Sequence, residues 1–222
     1  MKKLLSSLLA LLLLALPLSG CAGTQSGAEN DSSLRAAATT YPVYLFAQAV
    51  TQGVEGVEVS LVIDQQVSCL HDYTLTMRDM RAVEQADVLL INGMGLEDFL
   101  EDVLVGRTVV DCSQGIQARE PEESHDGHDH GSLGDSHSHD TDPHIWMDPR
   151  NAAVMVQNIA EGLAELDPEH AQAYRDNAAA AARELTEFRE EMLSLLGGGH
   201  YDLITFHDGF GYFADSFGMH LL

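Results

Sequence analysis

Residues 87–95 read Asp-Val-Leu-Leu-Ile-Asn-Gly-Met-Gly. A near-continuous apolar run of this length suits a strand buried on both faces, the situation of a strand inside a parallel sheet. The glycines behind it mark a turn. The same alternation recurs on either side. Upstream, 36–41 reads as a short strand, and Pro42 in a first helical turn opens an apolar-striped helix over 43–51. Residues 57–63 form a β-branched strand. Residues 76–85 read as a helix capped by Thr76, with Asp79 at its third position. Downstream, 97–104 reads as a helix and 107–111 as one more strand. Strand and helix alternating at this spacing predict an α/β fold, a parallel sheet wrapped by helices. Ligands of such sheets gather at the carboxyl ends of the strands, where Cys69, His71 and Cys112 fall.

Further on, Asp148-Pro149 caps a helix to Leu166, and Asp167-Pro168 starts another that runs to the triple glycine 197–199. At 1.5 Å per residue, 168–196 spans roughly 40 Å if unbroken. Such a rod could bridge two lobes, or it could be two helices with a kink; the alanines at 178–182 allow either. Residues 201–206 read as a fresh strand with His207 at its carboxyl end, and 210–217 start a helix. One strand and one helix cannot close a second sheet. The sequence is therefore expected to be incomplete at its C-terminus, with a truncated second lobe.

The N-terminus has Lys2 and Lys3, an apolar run from Leu8 to Leu16, and then Leu18-Ser19-Gly20-Cys21. This is a signal sequence over 1–20, too short for a stable membrane span. A small pair before Cys is the cleavage pattern of bacterial lipoproteins, so Cys21 is expected to carry lipid. Residues 21–35 then form a flexible tether. The protein is expected outside the cytoplasm, lipid-anchored to the cell membrane. The formal net charge is −24. Cleavage removes two of 11 basic side chains and none of 35 acidic ones. That charge argues against nucleic acid and anionic membrane patches as partners, and it suits a cationic ligand. Cys69 and Cys112 remain, and an exported chain leaves open either a disulfide or two buried thiols.

Five of the 11 histidines lie between His125 and His139: His125, His128, His130, His137 and His139, diluted by Asp, Gly and Ser. The segment 119–143 has almost nothing apolar to bury, so it reads as a solvated His/Asp-rich loop, either a plain linker or an auxiliary metal-capturing tract. His144 differs, standing between Pro143 and Ile-Trp-Met, next to a helix start. His71, His144 and His207 share a placement after an apolar element and close to an Asp. Any one alone is ordinarily structural. Three together, with the tract, point to a metal site, since three imidazoles plus a carboxylate or water is a common zinc arrangement.

Over nearly all of residues 36–222 the chain resembles the zinc- and manganese-binding solute-binding lipoproteins of bacterial ABC transporters. The resemblance rests on Thr39-Thr40-Tyr41-Pro42-Val43-Tyr44, His71-Asp72-Tyr73, Asn92-Gly93-Met94-Gly95-Leu96-Glu97, Pro143-His144-Ile145-Trp146-Met147-Asp148-Pro149 and Thr205-Phe206-His207-Asp208-Gly209 through Phe213. It implies two parallel-sheet lobes joined by one long helix, with a metal cleft between them. It assigns His71, His144 and His207 as successive ligands, with a fourth ligand in a segment beyond residue 222. A His at the third position marks the zinc branch, where manganese binders carry Glu. Zn²⁺ is thus the implied cargo, with Mn²⁺ or iron as the alternative. The implied partner is a membrane permease with its cytoplasmic ATPase, served by a monomer. Two departures stand out. Leu70-His71-Asp72-Tyr73-Thr74-Leu75 lacks the usual flanking prolines, and Gly209 replaces a usual Ala, read as a minor change.

The resulting organisation is a leader at 1–20, a tether at 21–35 and an N-terminal lobe at 36–118. The histidine loop follows at 119–143, then the lobe's end and the long helix at 144–199, and the start of a second lobe at 200–222. The expected function is capture of zinc for import, without enzymatic activity; affinity should fall with acid because ligating imidazoles must be neutral. An exported zinc hydrolase lacks a nameable nucleophile or general base. A surface adhesin has no repeats or large aromatic patches to recommend it.

Overall fold

The computed structural model describes residues 33–65, 70, 73–119, 141–207 and 209–222. Four strands form the main sheet: β1 (Leu34–Ala38), β2 (Val57–Leu61), β3 (Val88–Ile91) and β4 (Val109–Asp111), in the order β2-β1-β3-β4. All three pairings are parallel, as the apolar character of 87–92 requires. Helix α1 (Tyr41–Val50) follows β1 with Pro42 in its first turn. Helix α2 (Met77–Gln85) carries the expected capping box: Asp79 N–H donates to the Thr76 hydroxyl, and the Asp79 carboxylate accepts from Thr76 N–H.

The expected helix over 97–104 is shorter than the sequence suggested. A 3-10 turn, Asp98–Leu100, precedes a single helical turn, α3 (Glu101–Leu104). The reason is Glu97, whose side chain folds back onto the preceding turn instead of opening a helix. Helix α4 (Pro149–Leu166) is capped by Asp148, which accepts from Arg150 N–H. Helix α5 (Ala171–Leu196) is unbroken over 26 residues, roughly 40 Å. It starts three residues after Pro168, because Asp167 is engaged with the Tyr174 hydroxyl and the His170 ring, both at 2.7 Å.

One face of the sheet buries Ala36, Ala38, Val88 and Leu90 against α1, α4 and the first half of α5, with Val43, Met155, Ile159, Leu163 and Tyr174 among the core side chains. The other face packs Ala37, Val62 and Leu89 against Val83 of α2. Past Ala178 no residue of α5 is fully buried. There Phe188 lies edge-on to Phe217 of α6 (Gly211–Phe217), ring centroids 6.5 Å apart.

The strand expected over 201–206 shrinks to β5 (Asp202–Leu203), and Ile204 and Phe206 are exposed. A partner strand that the sequence reading did not contain, β6 (His220–Leu221), pairs with β5 in parallel. The second sheet thus has two strands where one was expected. At the other end, β1 begins at Leu34, so the stretch assigned to the tether runs into the first strand. Among the described residues, no helix is long and apolar enough to cross a membrane.

Candidate metal-binding site

The site is built outward from the carboxyl ends of β1 and β3, where the strand order reverses direction, the place at which ligands of such sheets gather. Thr39 follows β1 and Asn92 follows β3, both buried. Between them sits the buried Glu97 carboxylate. Its Oε1 accepts from the Thr39 hydroxyl at 2.6 Å and from Asn92 N–H at 2.7 Å, and its Oε2 accepts from Gly93 N–H at 3.0 Å. Burial pushes the Glu97 carboxyl up to about 7, against the pull of those three hydrogen bonds. The turn it closes has positive φ at Gly93, Met94 and Gly95. A side chain on Gly93 would also collide with the Asp111 carboxylate and the Ser113 hydroxyl.

This turn fixes the next piece of chain. Asn92 Nδ2 donates to the Pro143 carbonyl at 3.0 Å, 51 positions away, and so holds the peptide immediately before His144. His144 is buried and leads a 3-10 turn, Ile145–Met147. Its backbone N–H donates to Asp142 Oδ1 at 2.9 Å, and its ring Nδ1 lies 2.7 Å from the same oxygen. Burial raises the Asp142 carboxyl, but the His144 ring and backbone hydrogen bonds outweigh it and hold Asp142 below the usual carboxylate range. An ionised Asp142 accepts a hydrogen bond from Nδ1–H, which leaves Nε2 of His144 with its lone pair facing outward.

That lone pair points at His207. The two Nε2 atoms are 3.0 Å apart across 63 positions of chain, and the rings meet edge to face with centroids 4.9 Å apart. His207 is exposed, at the end of the segment that follows β5, and its carbonyl accepts from the Thr205 hydroxyl and Gly209 N–H. Two nitrogens bound to one zinc at about 2.0–2.1 Å in tetrahedral geometry lie about 3.3 Å apart, so this pair is near the spacing a shared ion needs. Gly209 matters more than its reading as a minor departure allowed. A Cβ there would stand 2.8 Å from His207 Cδ2 and 2.9 Å from His144 Nε2, so the bare glycine gives the two rings room to meet.

The family described as "Zinc-uptake complex component A periplasmic" matches residues 37–222. This chain belongs to that family. Members of this zinc-uptake family are metal-binding transport components and not enzymes, which sets the hydrolase reading aside. The chain is 30% identical to the iron-binding protein YfeA of Yersinia pestis over 88% of itself and 62% of that protein. It is 25% identical to the zinc-binding protein AdcA of Streptococcus pyogenes over 85% of itself and 39% of AdcA. It is 27% identical to the manganese-binding lipoprotein MntA of Halalkalibacterium halodurans over 98% of itself and 69% of MntA. A crystal structure of ZnuA superposes with a TM-score of 0.72 at 25% identity, over 86% of this chain and 69% of the other. The chain spans 39 to 62% of the length of the first curated relatives it matches.

Of the ligands assigned to this zinc-uptake fold, His144 and His207 come together. His71 lies outside the described residues; its neighbour Tyr73 is fixed by a hydrogen bond to Asp79 and by an edge contact with Phe99. Among the described residues no three His, Cys, Asp or Glu side chains stand close enough together to hold an ion. His125, His128, His130, His137 and His139 lie outside the described residues, as do Cys21 and Cys69. Cys112, the suggested partner of Cys69, is a buried free thiol.

The carboxylate that orients His144 is Asp142. Asp148 caps α4 as the sequence predicts, pairs with Arg150 at 2.6 Å and accepts from the Ser216 hydroxyl at 2.9 Å. Ser216 in turn takes hydrogen bonds from Arg189 of α5, so one chain of contacts joins α4, α5 and α6 behind the site. Arg119, at the near edge of the histidine loop, is bound to α6: its N–H donates to the Tyr212 hydroxyl and its guanidinium pairs with Asp215, both at 2.8 Å. Asn92 and Asp142 are the positioning residues that sequence reasoning missed. Asp142 had a local signal, an acid two residues before His144.

Proposed function

We propose that this chain captures a divalent transition metal outside the cytoplasm, zinc by preference, and passes it to an ABC permease driven by a cytoplasmic ATPase. It acts as a monomer tethered through lipid on Cys21. The observation that carries the reading is the His144–His207 pair, two ring nitrogens 3.0 Å apart from elements 63 positions apart, one of them oriented by a carboxylate. A carboxylate behind a ligating imidazole fixes its tautomer and raises its basicity. His71 is the third ligand in this reading, and the tract His125 to His139 acts as a collector that raises zinc concentration beside the cleft.

Zinc is favoured because both described donors are imidazole nitrogens, whereas manganese prefers a larger share of oxygen. Relatives named for iron and for manganese make metal choice the first thing to test. Chelator competition with Zn²⁺, Mn²⁺ and Fe²⁺ should rank zinc first and lose the tight site in His71→Ala, His144→Ala and His207→Ala. Three variants that bind like the parent would end the proposal, and tighter manganese binding would reassign the cargo. Deleting 122–140 should impair uptake under zinc starvation while leaving the tight site intact.

A further inference from the structure

His207 lies on a stretch that packing does little to hold: Ile204 and Phe206, just before it, are exposed. Beyond it the chain is buried along the inner side of α6, at Tyr212, Ala214, Ser216 and Phe217. Where α6 sits therefore decides where His207 can reach. The far end of α6 is fastened by the Ser216 hydroxyl to Asp148. Its near end, which begins four positions after His207, is held by Arg119. The Arg119 backbone N–H donates to the Tyr212 hydroxyl and its Nε donates to Asp215 Oδ2, both at 2.8 Å. Tyr212 and Asp215 are three positions apart and so share one helix face. The guanidinium crosses the first turn at Gly211, where a Cβ would stand 2.5 Å from Nη1 and 2.7 Å from Cζ. Arg119 itself belongs to the main sheet's side. It closes a segment that Asn158 of α4 ties down through the Cys112 and Gln114 carbonyls at 2.8 and 2.9 Å, with Ile116 packed on the core.

We infer that Arg119 is a positioning residue for metal capture: a latch that holds α6, and through it His207, against His144. The inference rests on the metal-capture reading of the His144–His207 pair and adds to it the group that keeps the pair together. A cation at a helix N-terminus opposes the helix dipole, so the contact is no device for stabilising α6; Asp215 and Tyr212 are what hold the guanidinium there. The Arg119 side chain is 15% exposed and that of Asp215 56%. One partner is thus within reach of water, and a half-solvated ion pair opens far more readily than a buried one. With the latch shut, both imidazoles face one ion. With it open, His207 is left on an unpacked stretch and the ion on fewer ligands.

The test is the rate at which the zinc-loaded full chain gives up Zn²⁺ to an excess of chelator, followed by stopped flow. Arg119→Gln and Asp215→Asn should each speed release by roughly 10-fold, the lower end of what losing a group behind a ligating histidine costs, and the double variant by little more. Gly211→Ala should speed it too, by pushing the guanidinium off the first turn. The backbone there is one any residue adopts, and alanine suits a helix better than glycine. This variant should therefore hold or gain stability in urea while losing its grip on zinc, which a purely structural role for Arg119 does not allow. Arg175→Gln removes an ion pair of similar length between α4 and α5 and should release zinc at the parent's rate. In a His207→Ala background, Arg119→Gln should change nothing further. Release at the parent's rate in Arg119→Gln and Asp215→Asn, or equal acceleration with and without His207, would overturn the inference and leave the metal-capture reading standing. A parent chain that holds no zinc would take both down.

Discussion

The buried Glu97 carboxylate makes the stability of this fold depend on pH in a direction opposite to most acids. Its folded value is raised from the ordinary 4.5 to about 7. Folding therefore favours the protonated form. The stability it allows is fully present below pH 4.5 and is lost as the pH rises through 7. A displacement of that size corresponds to about 3 kcal/mol once the group is ionised in both states, most of it between pH 5 and 8. Replacing Glu97 by Gln removes the titration but not the site's geometry. The amide oxygen can keep the bonds from Thr39 and Asn92, while the NH₂ faces Gly93 N–H and leaves one donor unpaired. That mismatch costs about 1–3 kcal/mol at every pH. Urea unfolding of both proteins at intervals from pH 5 to 8 should show the variant less stable at pH 5 and the gap closing or reversing by pH 8. A gap that stays constant across the range would refute the reasoning and mean that the three hydrogen bonds keep Glu97 ionised throughout.

Asp142→Ala should weaken zinc binding by roughly 10- to 100-fold, the usual cost of losing the carboxylate behind a ligating histidine, and Asp142→Asn by less because its amide oxygen can still accept; isothermal titration of the tight site checks both. Gly93→Ala combines a positive φ of 84° with a collision against Asp111 and Ser113, and should cost about 3 kcal/mol in urea. Thr76→Ala should lower the urea midpoint by about 1 kcal/mol worth of stability through loss of the α2 cap, with metal affinity unchanged.

Local chemistry was the legible part of this sequence. The apolar run 87–92, the Thr76–Asp79 box and the Asp148 cap each declare themselves within a few residues, and each is found where the sequence put it. Misreadings arose where a side chain works against its local pattern. Glu97 looks like the acidic first turn of a helix, yet it turns back to satisfy two backbone N–H groups. Residues 201–206 have strand composition, but β6 pairs in register with only two of them, Asp202 and Leu203. For the site, His144 and His207 were visible as residue types and their meeting came from the resemblance. Asn92 was not visible in its role, because a bond from its amide to a carbonyl 51 positions away leaves no local signature. The effect of Gly209 on the rings depends on how closely they approach, which composition does not encode.

The 63 positions between His144 and His207 contain all of α4 and α5, the helical hairpin on which the main core is packed. An ion gripped by both rings would act as a removable staple across that hairpin, joining the end of one sheet region to the start of the next. Cargo bound at 100 times its dissociation constant would add about 2.7 kcal/mol to the resistance of the chain to unfolding. The loaded form would then be the one that resists unfolding, with the hairpin clamped at both of its ends.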